Sequence, residues 1–120
     1  MVLTDPVMAL ADARALLACG REVALVLVQP GPLTEVARGE PDRLRLVPAD
    51  VLRPVVLAGA RAYMLIHTHP AGGPPTAADV ALTRRLVAAG AVVGVRLSAH
   101  LVVAPERTWD CLTSSGRMAA

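Results

Sequence analysis

RAYMLIHTHPAGGPPTAADVALTRRLVAAG, Arg61 to Gly90, is the stretch on which the fold turns. Arg61–His67 is a short apolar run, which reads as a strand. Pro70 and the Gly72–Gly73 pair then break any regular structure. From Thr76 the apolar residues recur at helical spacing, with Thr76 placed to cap the helix and Gly90 to stop it. His67 and His69 stand at the end of the strand, and Asp79 in the first turn of the helix.

The flanking segments extend this strand–loop–helix unit. TDPVMALADARALLACG predicts a helix capped by Asp5, with Pro6 in its first turn and Gly20 at its exit. Glu22–Gln29 is a Val- and Leu-rich run whose length predicts a strand buried on both faces. Leu33–Gly39 reads as its hairpin partner, and Arg43–Val47 alternates like an edge strand. Pro48 opens a second helix, in which Pro54 predicts a kink or two short pieces. AVVGVRL and AHLVVA read as two more strands, and Thr108–Leu112 as a last short one. Residues 113–120 read as a frayed tail. The sum is a single α/β domain over 1–120, a sheet of about six strands with three helices packed on it.

Composition narrows the function. Hydrophobic residues make up 54% of 120, enough for one buried core. Aromatics are only 2% and the net charge is +2, so a nucleic-acid-binding surface has little support. All 12 basic residues are Arg. No apolar stretch reaches the roughly 18 residues of a membrane span, and the N-terminus lacks the basic start of a signal peptide. Cys19 and Cys111 are too few for a disulfide framework and read as buried small hydrophobes, which points to a cytoplasmic protein. The apolar excess and the sheet edges are compatible with a homodimer.

The histidines pose a metal question. Side chains two apart on a strand project to the same side, which suits two ligands of one ion. On its helix, Asp79 lies within roughly 20° of Leu86 and well over roughly 100° from Arg84 and Arg85, so it heads the inward face. A buried carboxylate needs a partner, and a cation held by two histidines would be one. The plainer alternatives stay open. The histidines can be loop residues bonded to backbone, and TAAD (Thr76–Asp79) can be no more than a capping box. His100 reads as a structural strand-end histidine and Trp109 as an edge cover.

HTHP followed by T-x-x-D resembles the H-x-H-P…S-x-x-D signature of the JAMM zinc metallopeptidases, the JAB/MPN domain family. HTHPAG…PT..DVALTRRL is closest to the RadC-like branch. EVARG, LVPADVLRPVVLAGARAYMLIHTHP and GVRLSAHLVVA extend the likeness to about 90 residues. The resemblance implies the JAB/MPN (cytidine-deaminase-like) fold. It also implies a prokaryotic hydrolase acting on a peptide or protein substrate, with Zn²⁺ held by His67, His69 and Asp79. A glutamate general base matches Glu22, with Glu35 as the rival, and Thr76 takes the place of the oxyanion-stabilising serine. The chain departs from the branch at Ala71, Gly73 and Ala99, and in a motif loop one residue short. These 120 residues leave no room for the helix-hairpin-helix segment usual in the branch or for ubiquitin-gripping insertions. Two other functions are compatible with the resemblance: a non-catalytic interaction module, and an accessory in DNA repair or phage defence. The H-x-E and P-C-x-x-C signature of zinc deaminases is absent.

Overall fold

The computed structural model describes residues 5–113; the tail expected from 113 onward therefore lies almost wholly outside the described residues. Helix α1 (Pro6–Leu16) passes through a short 3-10 turn (Leu17–Cys19) to β1 (Val23–Val28) and β2 (Leu33–Arg38). Then follow α2 (Pro48–Leu57), β3 (Ala62–Thr68), α3 (Ala77–Val93), β4 (Arg96–Val103) and β5 (Thr108–Asp110). Asp5 caps α1 by accepting the Met8 N–H at 2.9 Å, and left-handed Gly20 releases the chain toward β1.

The five strands form one mixed sheet in the order β2-β1-β3-β4-β5. β1 is antiparallel to β2 and β3, β3 and β4 run parallel around the α3 crossover, and β5 returns antiparallel. Helices cover both faces. Val51, Leu52 and Val55 of α2 and Leu82 and Leu86 of α3 pack with Ala24, Val26, Tyr63 and Leu65. Ala9 and Ala13 of α1 pack with Val23, Leu25, Leu27 and Ile66 on the other side. Every residue of β1 is therefore buried, as its unbroken apolar run requires. Among the described residues no helix is long and apolar enough to cross a membrane.

The sheet has five strands rather than about six, for two reasons. Residues 43–47 keep the predicted alternation, with Leu44 and Leu46 turned inward, but pair with no strand. Packing on the core is enough to extend a segment; a ladder also needs a neighbouring edge. The two strands expected in AVVGVRL and AHLVVA are one, because α3 continues through Val93 and β4 begins at Arg96.

Gly90 is not the stop of α3. It is buried in the helix, where a Cβ would collide with the Val95 carbonyl oxygen; the chain folds back there, with Val95 N–H donating to the Gly90 carbonyl at 3.0 Å. Gly94 (φ 79°) ends the helix instead. Pro54 sits within a single continuous α2 rather than dividing it. Cys111 is buried as expected, whereas Cys19 is exposed.

Candidate metal centre

The centre forms where β1, β3 and α3 meet at one end of the sheet. β3 ends at Thr68, and His69 prolongs its direction by donating its N–H to the Val103 carbonyl at 2.7 Å. His67 and His69 thus project together, ring centroids 4.8 Å apart and edge to face. Thr68, between them, points the opposite way, and its hydroxyl accepts the Val23 N–H at 2.8 Å. That bond ties the start of β1 beside the histidines. Glu22, one residue earlier, is held through its own backbone by Glu40 and Gly39.

All four acid and imidazole side chains are buried: Glu22 6%, His67 4%, His69 5% and Asp79 5% exposed. His67 lies between two carboxylates. Its Nε2 is 2.6 Å from Glu22 Oε1, and its Nδ1 is 3.1 Å from Asp79 Oδ1. The second approach is poorly directed for a hydrogen bond, so it acts mainly as charge attraction. Burial opposes a charge on His67, but the Asp79 and Glu22 carboxylates outweigh it and push the imidazole up to about 9. Burial likewise opposes ionisation of Asp79; the two histidines and the Thr76 amide outweigh it and hold the carboxyl well below its usual range. The site is built around positive charge.

His69 supplies the test of metal fit. Its Nδ1 lies 3.3 Å from the Gly73 carbonyl, which can only accept, so Nδ1 carries the hydrogen. In the neutral ring Nε2 is then a bare lone pair, and it faces Asp79 Oδ2 at 3.3 Å. Two acceptors at that distance repel unless a proton or a metal cation lies between them. A backbone carbonyl that fixes the tautomer in this way is the usual support of a metal-binding histidine. The Gly73 turn (φ 97°) is itself anchored by Glu106, which accepts the Gly73 N–H at 2.9 Å from the turn between β4 and β5.

Asp79 does two things at once. It closes the capping box of α3, with Oδ2 accepting the Thr76 N–H at 2.8 Å and its own N–H donating to Thr76 Oγ1 at 3.2 Å. It also presents both oxygens to the histidines. The two readings of TAAD are therefore compatible. Thr76 is exposed at the helix start.

Glu22, His67 and His69 each offer a ligand atom within 4.8 Å of one another, so this buried group could hold a metal ion. That trio differs from the expected His67, His69 and Asp79 by exchanging one carboxylate for the other. Glu35, the alternative to Glu22, is instead on β2, paired with Arg38 at 2.7 Å.

Behind the centre, His100 is not at a strand end but fully buried within β4. Thr83 Oγ1 donates to the Asp79 carbonyl (3.0 Å) and so accepts from His100 Nδ1 (2.7 Å). Burial pushes His100 down to about 4, which keeps it neutral. Sequence reasoning missed Thr68, Thr83 and Glu106. Only Thr68 carried a signal, its place between the two histidines.

A family model described as a RadC-like JAB domain matches residues 32–115. The chain belongs to the RadC-like JAB domain family. The match contains His67, His69, Thr76 and Asp79 and begins after Glu22. Among curated relatives, a UPF0758 protein of Pelobacter propionicus is 35% identical over 91 residues, covering 71% of this chain and 40% of the relative. A UPF0758 protein of Bordetella avium is 40% identical over 74 residues (61% of this chain, 33% of the relative). One from Geobacter sulfurreducens is 35% identical over 74 residues (61% and 32%). The chain thus spans 32–40% of the length of these relatives.

Proposed function

We propose that this RadC-like domain is a zinc-dependent hydrolase that cleaves a peptide or isopeptide bond. The observation that carries the reading is His69 Nε2 facing Asp79 Oδ2 at 3.3 Å, with the Glu22 carboxylate buried beside His67. His67, His69 and Asp79 would hold the ion; two imidazoles and a carboxylate are a donor set suited to zinc. When bound, zinc would act as a Lewis acid and lower the pKa of a water to about 7. Glu22, buried beside His67, would act as the general base, holding a proton at its carboxylate and returning it to the leaving amine. Thr76 Oγ1 accepts from the Asp79 amide and keeps its own O–H available for the developing oxyanion.

Metal content, read by mass spectrometry beside a peptide-cleavage screen, tests the assignment. Glu22→Ala is expected to keep about one zinc per chain and lose activity, while His69→Ala loses both. A specific observation favours a second reading, in which Glu22 is a ligand and Asp79 orients the histidines: the close trio contains Glu22. In that case Glu22→Ala loses the metal and Asp79→Ala only weakens it. A zinc-loaded wild type that cleaves nothing would make the domain a non-catalytic interaction module.

A further inference from the structure

A groove of about 510 Å³ opens from the metal centre between the extended segment 44–47 and α3, and His67 and Asp79 are part of its lining. Its two long walls each carry one arginine, Arg45 on the segment and Arg85 on the helix. Both are exposed, and among the described residues neither side chain makes a hydrogen bond or ion pair. The acidic residue of the lining, Asp79, is already engaged by two imidazoles. Ala78 and Ala81 present only methyl groups on the helix wall, which leaves the groove open. The backbone amides and carbonyls of Leu44, Arg45 and Leu46 also have no partner among the described residues, so this wall offers a free strand edge to an extended chain.

We propose that this groove selects an extended peptide bearing a carboxylate, which Arg45 and Arg85 bind from opposite walls. The proposal rests on the peptidase reading for what happens next, but the recognition itself is a binding property. Guanidinium groups match carboxylates in planar, two-point geometry, and two of them set across one channel favour an acidic chain over a neutral one. The carboxylate can be an Asp or Glu side chain or the peptide's C-terminus.

The test is fluorescence anisotropy with labelled alanine-rich heptapeptides and the full chain. One peptide is neutral and amidated, one carries an internal Glu with an amidated end, and one has a free C-terminal carboxylate. The expected result is that at least one acidic peptide binds about tenfold tighter than the neutral one, with the advantage shrinking as salt is added. The better of the two identifies the source of the carboxylate. Arg45→Glu/Arg85→Glu removes the preference, while Arg84→Glu, on α3 but outside the groove lining, retains it. Circular dichroism of each variant checks that it is folded. Equal binding of all peptides, no binding of any, an equal loss in Arg84→Glu, or tighter binding of an oligothymidylate than of either acidic peptide would each overturn the proposal. Because cleavage is not read, the preference is measured whether or not the peptidase reading holds, so the two can fail separately.

Discussion

The two faces of the sheet are built on opposite terms. Beneath α1, Ala9, Ala13, Val23, Leu25, Leu27, Ile66 and Val103 form an apolar cluster, and the buried Thr68 beside it spends its hydroxyl on the Val23 backbone. On the other face the cluster under α2 and α3 is equally apolar at its centre, but its end is given over to Glu22, His67, His69 and Asp79, with Thr83 and His100 behind them. Apolar burial stabilises without regard to direction, whereas buried charges cost desolvation and are tolerable only in near-correct geometry. The α1 face can therefore supply stability that the polar end of the other face does not, leaving that end free to be arranged for a cation.

The first way to break this comparison is to damage the apolar face. Leu27→Ala is expected to lower unfolding stability by about 2–5 kcal/mol in urea titrations, while the folded fraction binds added zinc as the wild type does. A parallel loss of zinc per folded chain would show that the two faces are not separable.

A smaller effect is expected at the polar end from Glu106, which holds the Gly73 turn and through it His69. Glu106→Ala should weaken zinc binding by about 10–100-fold in competition with a chromogenic chelator, with little change in stability. Glu106→Gln retains an oxygen that can accept the Gly73 N–H and should restore most of the affinity.

The mildest probe is pH. His67 is raised above its ordinary value of 6.5, so its contribution to stability in metal-free protein is complete below about 6.5 and lost as pH rises through about 9. Asp79 is depressed, so its contribution is present above its ordinary 3.8 and lost as pH falls below that. The urea midpoint of chelator-treated protein should fall as pH is raised from about 6 to about 10. Added zinc, replacing the proton on His67, should flatten that fall. An alkaline limb unchanged by zinc would place the ion elsewhere.

Much of the site's chemistry was legible one element at a time. The spacing of His67 and His69 on a strand, and the inward aspect of Asp79 on a capped helix, are consequences of strand and helix period, and the structure brings the three together. The capping box could be read in TAAD for the same reason, since its partners are three residues apart. The buried run of β1 was readable because a strand covered on both faces shows no alternation. Gly90 misled because a glycine looks the same in sequence whether it ends a helix or admits another backbone.

What the sequence by itself determined, then, is α1, β1, β2, β3 and the start of α3, with the three motif residues at the end of β3 and the head of α3, because those depend on interactions within a few positions along the chain. Only the tertiary structure decided that Glu22 and not Glu35 reaches the centre, since Glu22 lies 45 residues from His67 and is brought there by the β1–β3 pairing. It also decided that Glu106 anchors the motif turn from 33 residues away, and that residues 43–47 stand extended without a strand beside them. Such contacts arise from strand order, register and packing across the whole fold, and no short-range pattern encodes them.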